Sequence, residues 1–287
     1  MQMAKFNLYT YQFRPVNKEE TLFEKSPLPV EERMMKKQDI FNALFDKKSG
    51  FVFKYGNKRF EHEVLYNENR IVIFRIANNK FLTLEENFVK RHQNHFPSTM
   101  VIIDNRTDVQ HIAIEERTNS FADTDYLAKI LSSSFKKGLE QSGLSIEILK
   151  DYDENEFWKI VNAYPKQVSM LRFQFSYPNL PRVSQSINKM ISEESKKVGS
   201  AKTVFEFNAD EGEVLSVSKG NGKLEGMVVA AAQSGNPVTL KIKSMKKYIK
   251  TGKTEKSFQL DGLELIADAD LFESKFEKII SKLNLFK

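Results

Sequence analysis

Residues 51–116 form a series of short segments rich in β-branched and aromatic residues, with turn-forming residues between most of them. The segments lie at residues 51–54, 59–66, 71–76, 100–104 and 109–116. The intervening Asn, Asp and Gly residues favour the backbone angles that close tight turns. Strands that follow one another through short turns pair antiparallel, so this region predicts a β-meander. We expect a helix to cover one face of that sheet and water to contact the other.

A helix suited to this role is predicted at residues 30–45. Apolar residues recur there at helical spacing, from Val30 through Phe41 to Phe45. Acidic residues at its start and lysines just after its end match the helix dipole. Together with a strand predicted at residues 6–14, these elements form a β-rich α+β domain that we assign to residues 1–117.

The pattern changes near residue 118, where helical spacing replaces alternation. From there we predict helices at residues 126–135, 157–161, 183–198 and 270–283, and strands at residues 144–149, 168–177 and 203–207. Residues 223–233 fit either a helix or a strand. The chain therefore predicts an α+β fold. An N-terminal antiparallel β-meander with a packed helix is followed by a C-terminal mixed α/β domain, residues 118–287, with a basic β-hairpin and a closing helix.

Composition excludes several classes of protein. With 40% hydrophobic residues and 23 phenylalanines, which we expect to be mostly buried, the 287-residue chain is not wholly disordered. The absence of cysteine excludes disulfides, a thiolate nucleophile and cysteine-ligated metals. The longest apolar run, residues 227–232, is too short to span a membrane, and the N-terminus lacks a signal-peptide pattern. We therefore expect a cytoplasmic protein with no membrane partner.

The most distinctive chemistry is a basic segment near the C-terminus. Residues 238–243 alternate between apolar and polar side chains like a strand, and residues 251–253 (Thr-Gly-Lys) fit a hairpin turn. Between positions 241 and 256 there are seven lysines and a single acidic residue. The lysines are Lys241, Lys243, Lys246, Lys247, Lys250, Lys253 and Lys256. Lysines brought against phosphates release condensed counterions, so this hairpin predicts sequence-independent nucleic-acid binding.

Lysine favours this role because it contacts phosphate as a point charge, whereas arginine is better suited to reading bases. Two structural alternatives stay open for the same residues. The lysines can protect an exposed edge strand from aggregation, or they can pair with the acidic residues that follow in the sequence. Those acids are Asp261, Glu264, Asp268, Asp270 and Glu273.

Candidate catalytic groups are sparse. His92 and His95 lie three residues apart, a spacing that suits a metal on a helix, but no third ligand accompanies them. A magnesium-dependent nuclease is an alternative because such enzymes combine a basic surface with strand-borne carboxylates. The conceivable ligand sets are Asp104 with Glu115 or Glu116, and Glu206 with Asp210 and Glu211. We assign these carboxylates first to solvent or salt bridges, and we predict no catalytic residue, no bound metal and no cofactor.

Two further patterns match ligand-binding motifs only in part. Residues 171–177 alternate aromatic and polar side chains, but the glycines of an RNA-recognition strand motif are missing, so core packing is the better interpretation. Residues 220–223 (Gly-Asn-Gly-Lys) lack the spacing and the hydroxyl residue of a phosphate-binding P-loop. We expect a simple turn there.

These observations favour a non-enzymatic accessory protein that contacts nucleic-acid backbone through the basic hairpin. The abundance of Lys, Asn, Ile and Phe is typical of low-GC bacterial or phage genomes, an association that favours a role in antiviral (phage) defence or in a mobile element. One alternative is a protein–protein interaction or self-assembling subunit, in which aromatic strands form the interface and the lysines serve solubility. The second alternative is the metal-dependent nuclease.

Overall fold

The computed structural model describes residues 3–16, 29–107, 109–176, 202–261, 279 and 281. Within them the strands are β1 (Met3–Pro15), β2 (Phe53–Tyr55), β3 (Lys58–Phe60), β4 (His62–Glu68), β5 (Ile71–Ala77), β6 (Lys80–Glu86), β7 (Val89–His95), β8 (Ser98–Asp104), β9 (His111–Glu115), β10 (Leu144–Lys150), β11 (Val168–Ser176), β12 (Lys202–Asn208), β13 (Thr239–Ile242), β14 (Ile249–Lys250) and β15 (Ser257–Asp261). The helices are α1 (Val30–Met35), α2 (Lys37–Asn42), α3 (Thr124–Leu139), α4 (Asn155–Ala163) and α5 (Gly222–Gln233).

The described residues form two compact units. Apart from the gaps given above, the first contains residues 3–8, 13–148 and the chain from residue 257 onward. The second contains residues 9–12 and 149–256.

The main sheet has the strand order β10, β1, β9, β8, β5, β4, and β15 also pairs with β1. Neighbouring strands pair antiparallel from β4 through β5 and β8 to β9, and two separate hairpins, β2–β3 and β6–β7, extend the series. This confirms the predicted antiparallel meander and the α+β class.

The expectation of one wet face on this sheet is wrong. Strands β8 and β9 are buried at almost every position, and β5 is nearly as buried. Because successive side chains point to opposite faces, continuous burial means that both faces are covered. One face packs in a cluster that includes Phe258, Leu260 and Ile279. Phe258 and Leu260 extend this face on β15, a strand of the same sheet, and Ile279, near the end of the chain, belongs to the same buried cluster.

Phenylalanines from helices α2 and α3 pack against phenylalanines from the strands in the core of the first unit. Phe41 makes edge contacts with Phe13 and Phe135, at centroid distances of 5.4 and 4.9 Å. Phe53 stacks on Phe74 at 5.1 Å. Such pairs contribute about 1 kcal/mol each beyond the area that they bury.

The helix predicted at residues 30–45 is interrupted at Lys36, whose backbone leaves the helical region (φ −92°, ψ 5°). This break gives two short helices, α1 and α2, that make different contacts. In α1 the buried Arg33 donates to the carbonyl oxygen of Gly143 at 2.8 Å, whereas α2 turns Phe41 into the aromatic cluster. Gly143 has φ +64°, and a Cβ there would collide with the Arg33 guanidinium. The sequence spacing could not reveal this contact because its partners are 110 residues apart.

Helix α3 confirms the helix predicted at residues 126–135. The Asp123 carboxylate caps it by accepting the Tyr126 N–H at 2.6 Å. The Ser134 hydroxyl accepts the Lys54 N–H at 2.9 Å, so α3 packs on β2 in the first unit. The predicted boundary near residue 118 would assign α3 to the C-terminal domain, and it stays a prediction about which segments fold independently.

The second unit has a four-stranded sheet in the order β12, β11, β13, β14. Phe157 of α4, Val228 of α5 and Phe173 of β11 belong to one buried cluster, so both helices cover the same face. The ambiguous residues 223–233 form helix α5. The helix predicted at 183–198 lies outside the described residues, as does most of the closing helix at 270–283.

Among the described residues, the structure contains no helix whose length and apolarity would let it cross a bilayer.

Candidate functional site

The basic segment forms a hairpin from β13 and β14, in which Thr239 faces Lys250 and Leu240 faces Ile249. The predicted turn at residues 251–253 is wrong, because the chain reverses at residues 243–248. Lys241 explains this difference. Its Nζ donates to the carbonyl oxygens of Met245 and Lys246, at 2.7 and 2.8 Å, and so closes the earlier turn.

Three of the seven lysines are occupied within the protein. Lys241 closes the turn, and its ammonium also lies 5.2 Å from the centre of the Tyr248 ring. Lys243 donates to the carbonyl oxygen of Gly212. Lys256 lies 3.1 Å from a carboxylate oxygen of Glu154 in a partly exposed ion pair. These three lysines shape the surface and are poor candidates for direct phosphate contacts.

The other four lysines are exposed: Lys246, Lys247, Lys250 and Lys253. In the part of the chain that the structure describes, their ammonium groups contact no carboxylate. Two lie in the β13–β14 turn, one lies on β14 and one lies in the loop that follows. The alternative that pairs these lysines with Asp261, Glu264, Asp268, Asp270 and Glu273 stays a prediction, because the side chains of those acids lie outside the described residues.

The loop after β14 is held by a buried carboxylate. Glu156 of α4 accepts the backbone N–H groups of Gly252, Lys253 and Thr254 at 2.9, 3.0 and 3.1 Å. Gly252 has φ +98°, and a Cβ there would press on Pro237 and on the Tyr152 ring. Because the carboxylate is satisfied by backbone donors, the exposed Lys253 side chain is free to face solvent.

The exposed face of the second sheet carries mixed charge. Arg172 of β11 is paired with Glu206 of β12 at 2.5 Å. A hydrogen bond from Asn208, followed by one from Arg172, holds the pKa of Glu206 below its ordinary value. The turn at residues 210–213 contains three exposed acids, and Lys243 donates into it at Gly212. A polyanion would be repelled at that turn, so the favourable surface lies on the β14 side of the sheet.

Two residues near the lysines were missed by sequence reasoning. Tyr248 is 60% exposed between Lys247 and Lys250, where an aromatic ring can stack on a base. Lys166 precedes Gln167, whose side chain accepts a hydrogen bond from Ser244 at 2.7 Å in the β13–β14 turn. Tyr248 was visible as an aromatic residue within a lysine run. Lys166 gave no signal because it lies 78 residues before Ser244 in the sequence.

The histidine pair cannot form the metal site that its spacing suggested. His92 and His95 lie on β7, a strand, so an odd spacing places them on opposite faces. His92 instead shares a hydrogen bond of 3.1 Å with the Thr83 hydroxyl. Among the described residues, no three His, Asp or Glu side chains come together as a metal site.

The carboxylates considered for a nuclease are separated or occupied. Asp104 pairs with Arg106, and Glu115 accepts the Met100 N–H at 2.8 Å. Asp104 faces His111 across the β8–β9 pair, so it lies four residues of β9 from Glu115, or about 13 Å. Glu116 is paired with Lys5 at 2.6 Å. Glu206 is held by Arg172, whereas Asp210 and Glu211 lie in the exposed turn.

The two partial motifs have structural roles. Asn221 caps α5 by accepting the Leu224 N–H at 3.3 Å, and Glu225 accepts the Gly220 N–H at 2.6 Å. The predicted turn at residues 220–223 is therefore a helix cap. Leu171, Phe173 and Phe175 are buried, which confirms the core interpretation of that strand.

No protein-family model matches this chain, and no curated protein is significantly similar to it.

Proposed function

We propose that the second unit binds nucleic-acid backbone through Lys246, Lys247, Lys250 and Lys253, which we call the lysine surface. The single observation that carries this proposal is that all four ammonium groups are exposed and, among the described residues, unmatched by acids. The surface supplies charge without a rigid array of base-reading groups. It suits contacts with phosphates of any sequence. The residue composition described above extends the proposal to an accessory role in phage defence or in a mobile element.

The binding strength that this surface can supply is limited. If each of the four lysines neutralises one phosphate of duplex DNA, log K falls with log[salt] at a slope of about −3 to −4. Sequence-independent binding of this kind has a dissociation constant of about 10⁻⁴ to 10⁻⁶ M at physiological salt. Tyr248 adds a stacking surface for unpaired bases, which favours single strands over duplexes.

The experiment is a salt titration of binding to labelled DNA and RNA, single-stranded and duplex, followed by fluorescence anisotropy. We expect affinity that is independent of sequence and falls steeply with salt. Changing Lys246, Lys247, Lys250 and Lys253 together to Glu should abolish binding.

The matched control reverses four exposed lysines of the first unit, Lys48, Lys90, Lys129 and Lys136. Both quadruple variants have the same net charge, so a purely global charge effect would weaken binding equally. No binding at low salt, or equal losses in the two variants, would end the proposal.

We also propose a second candidate function, self-assembly through the β6–β7 hairpin of the first unit. Every residue of β7 is exposed, and Phe81 and Phe88 are 76% and 97% exposed. An isolated two-stranded hairpin is marginally stable in water, so its strands gain from contact with further protein. A second copy of the chain supplies the same apolar residues in a symmetric contact.

Light scattering coupled to size exclusion tests this candidate. We expect a dimer or larger assembly that dissociates when Phe81 and Phe88 are changed to Ser. Phe207→Ser, at another exposed phenylalanine, is the control and should leave the mass unchanged. A monomeric wild-type protein at high micromolar concentration excludes self-assembly.

A further inference from the structure

A concave pocket of about 480 Å³ opens in the first unit between the β2–β3 hairpin, the loop before β2 and helix α3. Its volume lies in the range of small-molecule sites, about 300 to 1,000 Å³. The pocket lining contains three cationic residues, Lys54, Arg59 and Lys137, and no Asp or Glu. We call it the cationic pocket. None of its residues belongs to the lysine surface.

The three cations are unmatched within the described residues. Their ammonium and guanidinium groups take part in no ion pair and no hydrogen bond there. Other cations of the same unit do have partners, as Arg70 does in Asp39 and Lys5 in Glu116. The cationic pocket is therefore a local excess of positive charge in a concave surface, where field lines concentrate.

The β2–β3 hairpin orients two of these cations. Phe53 faces Phe60 in the register, and both are buried. Lys54 faces Arg59 directly, and strand alternation places this pair on the opposite face of the hairpin. Like charges directly opposite each other destabilise an antiparallel pair. A bound anion between them removes that repulsion.

Helix α3 supplies the third cation and fixes the hairpin beside it. The Ser134 hydroxyl bonds both the N–H and the C=O of Lys54, at 2.9 and 3.1 Å. Lys137 lies one helical turn further along α3. Gly138 of α3 allows the loop before β2 to pack close to the helix, because a Cβ at position 138 would lie 2.9 Å from the Phe51 ring.

The pocket lining also contains apolar residues. Leu44, Phe51 and Val52 are among them, and one face of the Phe51 ring stacks on Phe135 at 5.8 Å. A ligand that contacts both the cations and these apolar residues needs several negative charges and a flat or apolar body. We propose that the cationic pocket binds a nucleoside polyphosphate, with its phosphates on Lys54, Arg59 and Lys137 and its nucleoside against Leu44, Phe51 and Val52.

Isothermal titration calorimetry on the full chain tests this, with ATP, tripolyphosphate and adenosine as probes in the presence of EDTA. We expect ATP to bind, tripolyphosphate to bind at least roughly tenfold more weakly, and adenosine to show no heat. Equal affinity for ATP and tripolyphosphate would overturn the nucleoside contact. No ATP binding at millimolar concentration would overturn the site.

Three variants and one matched control locate the binding. Lys54→Gln, Arg59→Gln and Lys137→Gln each remove a charge-assisted contact and should weaken ATP roughly tenfold or more. Lys136→Gln removes the same charge from the same helix outside the pocket, and should keep ATP affinity within about twofold. An equal loss of ATP affinity in all four variants would show that the binding depends only on overall charge, and would overturn the proposal.

Three further measurements separate this site from a folding defect and from the lysine surface. Without ligand, Arg59→Gln should melt at the same or a higher temperature than the wild type, because it removes the repulsion with Lys54. If that variant fails to fold, Lys137→Gln at an exposed helix position carries the test.

The quadruple lysine-surface variant should bind ATP normally, and duplex DNA should not displace ATP. Displacement by DNA would assign the pocket to polynucleotide phosphate instead.

Discussion

At the residue scale, single charged side chains decide which part of the basic segment is available to a ligand. Lys241 and Glu156 are the clearest cases, since one closes the β13–β14 turn and the other holds the loop after β14. Both bind backbone groups: Lys241 binds carbonyls four and five residues along the chain, and Glu156 binds N–H groups nearly a hundred residues away. Both side chains hold the backbone that carries the lysine surface. Removing either one should make that backbone less ordered, while the four exposed lysines keep their charges.

Glu156→Ala should destabilise the protein by about 2 to 3 kcal/mol, because it leaves three backbone N–H groups without their acceptor. Glu156→Gln keeps an acceptor oxygen and should cost less. Urea denaturation monitored by circular dichroism measures both. Glu154→Ala, which removes a partly exposed ion pair with Lys256, is the control and should change the free energy of unfolding by less than about 1 kcal/mol. An equal cost at positions 154 and 156 would contradict this account of the loop.

His62 should make stability depend on pH. Burial lowers its pKa from the ordinary 6.5, and its ring contacts the edge of Phe53 at 4.9 Å. A histidine with a lowered folded-state pKa binds fewer protons folded than unfolded, so stability rises with pH in that window. His62 should contribute its full stability above pH 6.5 and lose it as the pH falls through the folded value. Thermal melts from mildly acidic to neutral pH should show this loss, and His62→Phe should reduce it.

At the element scale, the two isolated hairpins differ in how they are held. The β2–β3 hairpin is anchored by its buried Phe53 and Phe60 and by Ser134. The strand residues of β6–β7, by contrast, bury little, and the turn between them carries backbone strain. Asn87 and Phe88 have φ values of 51° and 66°, the left-handed conformations of a type I′ turn. A positive φ at an aromatic residue such as Phe88 costs conformational free energy. Backbone strain of this kind is concentrated at functional positions, which favours a functional role for the turn of the hairpin.

Phe88→Gly should therefore stabilise the β6–β7 hairpin by about 1 kcal/mol, since glycine accepts a positive φ without strain. Hydrogen exchange of the β6 and β7 amides measures the change. Arg70→Gly at the analogous β4–β5 turn, where φ is 61°, is the control. That variant loses side-chain hydrogen bonds to Asp39 and Thr107 and should not gain stability. If self-assembly uses the hairpin tip, Phe88→Gly should stabilise the fold and weaken association together.

Element prediction succeeded where burial left a periodic signal. Alternation or helical spacing located β1, β5, α3 and β11, because each of these elements packs a face against a core. The β6–β7 hairpin was not anticipated, because its residues are largely exposed and show no buried stripe. The two strands are held together by backbone hydrogen bonds and by the turn between them. Patterns of residue types predict such pairing only weakly.

At the scale of the whole molecule, the chain returns to the first unit after completing the second. Strand β15 pairs with β1, and Phe258 stacks on Phe6 at a centroid distance of 5.4 Å. Phe258 and Leu260 thus extend a buried sheet face whose other strands lie mainly before residue 116. The stability of the N-terminal sheet depends on residues at the other end of the sequence.

Phe258→Ala should lower the free energy of unfolding by about 3 kcal/mol, because it empties a buried aromatic position against Phe6. Gln259→Ala, at the exposed neighbouring position on β15, should have little effect. Calorimetric melts compare the two variants. A similar small change in both would show that β15 adds little to the first unit.

The sequence by itself determined the α+β class, most of the strands and helices, and the position of the lysine-rich segment, because burial periodicity and charge density are local properties of a chain. Only the tertiary structure decided which lysines are free, where the hairpin turns, and that Lys54, Arg59 and Lys137 line one pocket. The hairpin turn depends on a side-chain contact that leaves no periodic pattern, that of Lys241 with Met245. The other outcomes depend on contacts between residues far apart in sequence, such as Ser134 with Lys54 and Glu156 with Gly252. A hydrogen bond across 80 or 96 residues leaves no periodic trace, so only the folded chain reveals it.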